Sequence, residues 1–320
     1  MTQTLRTYGT LAGFIVLILT FWISLPDTFM TPRNLINISQ QMSMLAVVAF
    51  TMTIVMAMGD FDLSVGTMAS LAGITAALAF KATGSVLLGV CIALLAGFAG
   101  GLVNGVLVSG LGILPFVATL GTLTIFRGLA FWLSGGKTVF GADIPASFSS
   151  FARGGLPLWQ TGEQWLLLPN LTLVAAGMLA LVWLTLEQTL FGRRLYAIGG
   201  NREAARLAGV RVGNLRLWTF GISGLGAAVA GLLYASRVAS ANPTQGEGLM
   251  LDAIAAVFLG MTMSREGEPR VLHTLVGVLI LGVLSNGLTQ LSVDSYVREM
   301  LVGAIIVAAV ALGSAGKPRT

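Results

Sequence analysis

Residues 85–108, SVLLGVCIALLAGFAGGLVNGVLV, run for 24 positions without a charged side chain. Such a stretch has no polar face to show to water, whereas a bilayer core asks a helix for about 20 consecutive apolar residues. A transmembrane helix follows. Its small residues Ala93, Gly97, Gly101 and Gly105 recur at every fourth position and stack on one helix face. Lipid gives helices little hydrophobic reason to associate, so they pair through close backbone fit at small-xxx-small faces. The stripe predicts a helix pressed against a neighbour and central in its bundle. The stretch 216–234 offers Gly221, Gly224, Ala227 and Gly231 for the same purpose.

The rest of the chain has the same character: 55% of its 320 residues are hydrophobic and 10% charged, and the mean hydropathy is +0.87. That composition belongs to a polytopic membrane protein and excludes a soluble globular enzyme. Ten candidate spans emerge, at about 9–25, 38–58, 63–80, 85–108, 113–133, 169–187, 216–234, 251–263, 271–291 and 296–313. The first lacks a small-residue cleavage site and reads as a retained helix rather than a signal peptide. The eighth is too short to cross alone, which suggests a half-helix or re-entrant piece shielded by its neighbours. The expected fold is therefore all-α, a single transmembrane domain over 1–320 with about ten helices.

The net charge of +5 resides in loops, where arginine reports orientation rather than a nucleic-acid partner. Arg193, Arg194, Arg202, Arg206 and Arg211 crowd the loop 188–215, which the positive-inside rule places in the cytoplasm. Ten crossings from a cytoplasmic N-terminus put that loop inside, and the tail with Lys317 and Arg319 as well. The loop 134–168 then falls outside, with Lys137 and Arg153 balanced by Asp143 and Glu163.

A faint internal repeat joins the halves 35–133 and 216–313. Asn104-Gly105 and Asn286-Gly287 each lie near the end of an apolar span, and in the ten-span topology those helices run in opposite directions. Each is preceded by a span opening near an aspartate, Asp62 or Asp252, and followed by one with an aromatic near its start, Phe116 or Tyr296. An inverted-topology repeat, a common transporter architecture, has this form.

The segment GDFDLSVG, 59–66, sets Asp60 and Asp62 between two apolar runs with almost no room for a loop. A carboxylate at the bilayer centre costs about 2.5 to 3.5 kcal/mol on insertion scales, so both must face protein, water or a helix end. Two uses are open for Asp62: accepting from the unpaired N–H groups of the helix beginning at Leu63, or acting in a substrate or gating path.

The cytoplasmic loop is itself patterned. Asn201 suits a helix N-cap, Glu203 the first turn, Ala204, Ala205 and Leu207 a helix interior, and Gly209 its stop. Arg202 and Arg206 are four apart on one face, while Ala204, Ala205 and Ala208 offer a low surface that would fit a groove in another protein. Chemistry of other kinds finds no footing. Gly136-Lys137-Thr138 ends like a phosphate loop, but the glycine needed five positions earlier is Phe131. His273 is the only histidine and Cys91 the only cysteine, so no catalytic triad, metal cluster or disulfide can be assembled.

The strings GDFDLSVG (59–66), GLVNGVLV (101–108), LPFVATLGTLTIFRGLA (114–130), FGRRLYAIGGNREAARLAGV (191–210) and LDAIAAVFLG (251–260) together resemble the permease subunits of bacterial ABC importers for ribose, arabinose, xylose and related monosaccharides. The resemblance runs from about residue 35 to 313 in order and spacing. It implies an inner-membrane permease that pairs with a second permease subunit, identical or homologous. It also implies two cytoplasmic ATPase subunits that hydrolyse the ATP and a periplasmic binding protein that delivers the sugar. The segment Asn201, Arg202, Glu203, Ala204, Ala205, Arg206, Leu207, Ala208 and Gly209 would be the coupling helix that docks on the ATPase. Asp62, Ser64, Asn104, Thr119, Asp252, Asn286 and Gln290 are the pathway candidates, since a neutral sugar needs hydrogen bonds rather than a charge partner. Packing polar groups between helices is the other use of such residues. The chain departs from the resembled pattern at 260–273, where Met261, Glu266, Pro269 and His273 replace glycines, and at Met250, where a glutamate is usual. An ion-coupled secondary transporter is the alternative reading, because it too uses inverted repeats and buried acids.

Overall fold

The computed structural model describes residues 3–161, 164–264 and 266–314; Glu163, Arg265, Lys317 and Arg319 lie outside the described residues. All ten apolar stretches are helical. The chain opens with α1 (Gln3–Ser24), α2 (Pro32–Ala57), α3 (Val65–Thr83), α4 (Val86–Ser109) and α5 (Pro115–Ser134). A connecting segment follows, with β1 (Val139–Phe140), α6 (Ala146–Arg153) and a hairpin of β2 (Gly155–Thr161) and β3 (Gln164–Pro169). Then come α7 (Asn170–Trp183), prolonged by a π turn over Leu184–Gln188, and the short helices α8 (Leu190–Gly200) and α9 (Arg202–Leu207). The second half holds α10 (Val212–Val238), β4 (Ser240–Ala241), α11 (Glu247–Met263), α12 (Val271–Gln290) and α13 (Ser295–Ser314). Among the described residues seven helices are long and apolar enough to cross a membrane, and 78% of the structure is helical, so the chain is an all-α polytopic membrane protein.

Local chemistry sets the helix ends. Thr31 accepts from the Asn34 amide ahead of Pro32, whose missing N–H costs nothing in a first turn. Ser85 caps α4 by accepting from the Leu88 amide. Gly84, at φ 68°, closes α3 in a left-handed conformation that a side chain would strain.

The small stripe of α4 meets α10. A methyl group added at Gly97 would lie 2.5 Å from the Gly224 carbonyl oxygen, and one at Gly105 would lie 2.8 Å from the Cα of Leu217. The predicted close pair is therefore present, and the glycines of both helices make it. The expectation that α4 is central is corrected: Leu87, Leu95, Val103 and Val106 on its other faces are exposed. A one-sided stripe serves one neighbour, and the buried centre is instead built by α2, α3 and α10.

The short eighth span is α11, with 17 residues. It starts beside the start of α3, for the Gly246 amide donates to Ser70 Oγ at 2.9 Å and a methyl group on Gly66 would lie 2.5 Å from the Gly246 carbonyl oxygen. Gly66 and Gly246 thus permit two helix beginnings to touch inside the bundle.

Candidate functional site

The turn between α2 and α3 carries both acids, and each gathers a different set of partners. Asp62 is 1% exposed. Its Oδ1 accepts from the Ser64 amide at 3.0 Å and the Ser64 hydroxyl at 2.6 Å, an Asx-type turn that shapes the entry to α3. Asn104 Nδ2 of α4 reaches the same oxygen at 3.4 Å and Ser64 Oγ at 2.8 Å. Ser223 of α10 donates to Oδ2 at 2.7 Å, and Thr122 of α5 donates to Asn104 Oδ1 at 2.6 Å. Of the two uses open to Asp62, acceptance from backbone at the start of α3 is present in one bond, from the Ser64 amide. Asp62 satisfies the N-cap residue Ser64 with two of its four hydrogen bonds, and the other two reach α4 and α10. A buried carboxylate with four donors meets its hydrogen-bonding needs without a cation.

Of the other pathway candidates, Ser64 and Asn104 belong to this cluster, whereas Thr119 does not: its hydroxyl returns to the Pro115 carbonyl of its own helix. Asn286 builds a separate cluster. It exchanges amide hydrogen bonds with Asn34 at 3.0 and 3.1 Å and accepts from Gln290 at 2.7 Å, while Thr28 donates to Gln290. Asp252 joins neither group. It is half-buried within α11 and makes no hydrogen bond or ion pair among the described residues, so it is not the chemical counterpart of Asp62. Ser223, Thr122 and Asn34 were missed from sequence, since a Ser or Thr in an apolar helix ordinarily bonds back to its own backbone.

Asp60 faces the Arg-rich loop. It is 2% exposed and accepts from Arg202 at 2.9 Å and twice from Arg216 at 2.8 Å. Gly199 makes the approach possible, because α8 crosses the end of α2 where a methyl group would collide with the Ala57 carbonyl. The ion pairs bind the start of α9, through Arg202, and α10, through Arg216, to the α2–α3 turn, links invisible in the sequence because the partners are 142 and 156 positions apart.

Helix α9 itself is as the loop pattern predicts. Asn201 accepts from the Ala204 amide at 2.9 Å, and Gly209 follows at φ 84°. Arg206 pairs with Glu203 at 2.7 Å, and its hydrogen bonds hold that exposed carboxyl below its ordinary range. The outward surface differs from the expected one. Ala205 is buried against the protein's own body and Leu207 is 78% exposed, so the face open to a partner consists of Ala204, Leu207 and Ala208 flanked by the Glu203–Arg206 pair. Arg202 and Arg206, though four apart, point to different partners.

Beside α8, the atypical segment is anchored at Glu268–Arg270. Arg270 pairs with Glu187 at 3.0 Å and Glu268 at 3.5 Å, and Tyr196 donates to Glu187 and to the Pro269 carbonyl. Burial, reinforced by the Glu187 charge, pushes the Tyr196 phenol up.

Over residues 34–310 the chain matches the family described as "Branched-chain amino acid transport system / permease component". The chain belongs to this family. It is 36% identical over 311 residues to the ribose import permease protein of Bacillus subtilis, covering 96% of this chain and 92% of that one. To the ribose import permease protein of Escherichia coli K12 it is 38% identical over 285 residues, 89% of this chain and 86% of the relative. To the L-arabinose transport system permease protein of Escherichia coli K12 it is 38% identical over 303 residues, 95% and 89% of the two chains. No solved structure matches the chain. As a permease component it is not itself an enzyme, and the ATPase is a separate subunit.

Proposed function

We propose that this chain is the transmembrane permease of an ATP-driven importer that moves a monosaccharide of pentose type into the cytoplasm. The observation that carries the reading is the resemblance along nearly the whole chain to ribose and arabinose permeases. Ion-coupled secondary transport is not favoured by those relatives. The partners in this reading are two cytoplasmic ATPase subunits, a periplasmic sugar-binding protein, a second permease subunit and the lipid of the inner membrane. Residues 201–209 form the docking helix, which the capped, outward α9 and its exposed Leu207 support.

The helices form ten spans in an inverted repeat, with both termini cytoplasmic. This is supported by packing that repeats in the two halves: α10 lies on α4 and α3 as α2 lies on α12 and α11, with α5 joined to α3 and α13 joined to α11. In this arrangement the Asp62–Asn104 and Asn286–Asn34 clusters sit at opposite depths and brace the path by hydrogen bonds. Reconstitution tests the function. In proteoliposomes carrying the permease, labelled ribose, arabinose or xylose should accumulate only when ATPase, ATP and a sugar-loaded binding protein are all supplied. Accumulation driven by an ion gradient without the ATPase would refute the proposal.

A further inference from the structure

Where α3 and α11 begin beside each other, α5 closes a third side and leaves a cavity of about 160 Å³ lined by Leu63, Gly66, Thr67, Leu123, Arg127, Glu247 and Met250. Its polar end is an ion pair, Arg127 Nε to Glu247 Oε1 at 3.0 Å, in which the two side chains keep 52% and 38% of their surface open. Arg127 lies twelve positions beyond Pro115, about 18 Å along α5 at 1.5 Å per residue, and therefore well inside a hydrocarbon core of about 30 Å. Charged groups at such depth face a water-filled cavity or the bundle interior, not lipid. Glu247 Oε1 is turned to Arg127 and closed to solvent, with no hydrogen bond of good geometry among the described residues, while the rest of the Glu247 side chain remains open to the cavity. An acceptor at hand, a guanidinium with free N–H groups and an apolar floor of Leu63, Leu123 and Met250 are thus gathered in one small opening.

We propose that this cavity is a sugar subsite on the translocation route, with Arg127 donating to and Glu247 accepting from the hydroxyls of a single monosaccharide. The inference rests on the importer reading and names the residues at which the sugar is held in transit. A pair of opposite charges cancels and repels neither entry nor exit of a neutral ligand. The two members still supply donors and an acceptor, which distinguish the hydroxyl configurations of epimers. Met250 lines the same opening one helical turn from Glu247.

The test uses the reconstituted importer with its ATPase and binding protein. Arg127→Gln and Glu247→Gln should each lower pentose uptake at least tenfold and change the ratio of ribose to arabinose transported, while ATPase association is retained. A purely structural pair would leave that ratio unchanged. As a second measurement, Met250→Cys in a Cys91→Ala background should be alkylated several-fold more slowly with millimolar transported pentose than with a non-transported polyol of similar size. An unchanged ratio of ribose to arabinose in both Gln variants, whatever their uptake, or alkylation indifferent to the pentose, would overturn the subsite. If instead the unaltered importer carries no sugar at all, the importer reading itself fails.

Discussion

The two Asn-Gly pairs look alike in sequence and are built differently. Asn104 is completely buried and bonded to a carboxylate turn: Asp62, Ser64 and Thr122 meet on it, and Ser223 joins through Asp62, so three segments converge with α4. Asn286, 4% exposed, meets only amides and a hydroxyl, namely Asn34, Gln290 and, through Gln290, Thr28. The neighbours of the glycines differ too, since Gly105 approaches the Leu217 backbone whereas Gly287 approaches the Phe21 ring. The same dipeptide therefore admits a close neighbour in both places, while the partner helix decides whether the cluster is ionic or neutral.

The largest expected effect comes from emptying the ionic cluster. Asp62→Leu removes the acceptor for four donors, and each buried group left unpaired costs about 1 to 3 kcal/mol. The yield of folded permease, followed by size-exclusion profile in detergent, should fall at least tenfold. Asp62→Asn keeps one carbonyl oxygen, and the Ser64 and Ser223 hydroxyls can rotate to accept, so its yield should stay within about threefold of wild type. Equal yields for both variants would show that the carboxylate does not brace the helices.

Asn104→Leu and Asn286→Leu compare the clusters directly. The first strands a buried carboxylate beside an apolar side chain, whereas the second leaves Asn34 and Gln290 free to bond each other. Membrane hydrogen bonds are worth about 0.6 to 2 kcal/mol, so Asn286→Leu should cost no more than about one such bond, with Asn104→Leu clearly more disruptive in thermal unfolding. The reverse order would break the comparison. Gly105→Ala and Gly287→Ala sharpen it at the level of packing. The Gly105 methyl meets fixed backbone and the Gly287 methyl meets a ring that can turn, so only the former should lower the unfolding midpoint measurably.

What the sequence revealed follows the range of its signals. Helix α9 was readable because Asn201, Glu203 and Gly209 act within a few residues, and the α4 stripe because its glycines repeat along one helix. Asp62 and Asn104 were identifiable as polar residues in apolar surroundings, but their partners Ser223 and Thr122 lie on other helices with nothing local to mark them. Asp60 joins Arg202 and Arg216 by the same kind of distant meeting. Thr119 and Asp252 join neither cluster, because polarity inside a span does not tell which way a side chain turns. Ala205 failed as docking surface for a related reason: three alanines in one turn do not reveal which is inward.

Smallest in expected effect is the exposed pair on α9. Its carboxyl is held low by Arg206, so the pair persists above the ordinary glutamate range and is lost as pH falls through the depressed value. Glu203→Gln should change ATPase association only marginally. Leu207→Glu, placing a charge on the outward apolar position, should reduce ATPase recovery in pull-down several-fold with insertion intact; full recovery would remove residues 201–209 from the interface.

The mirrored placement of the two clusters is tested most directly just beyond the helices that carry them. Leu111 follows α4 and Leu291 follows α12, with 69% and 43% of their surface exposed. Single cysteines at these positions, in a Cys91→Ala background, are treated with a membrane-impermeant thiol reagent in right-side-out and inside-out vesicles. An inverted repeat requires that Leu111→Cys react from the cytoplasmic face alone and Leu291→Cys from the periplasmic face alone. Reaction of both from the same face would contradict the inverted repeat and the ten-span topology that places α9 in the cytoplasm.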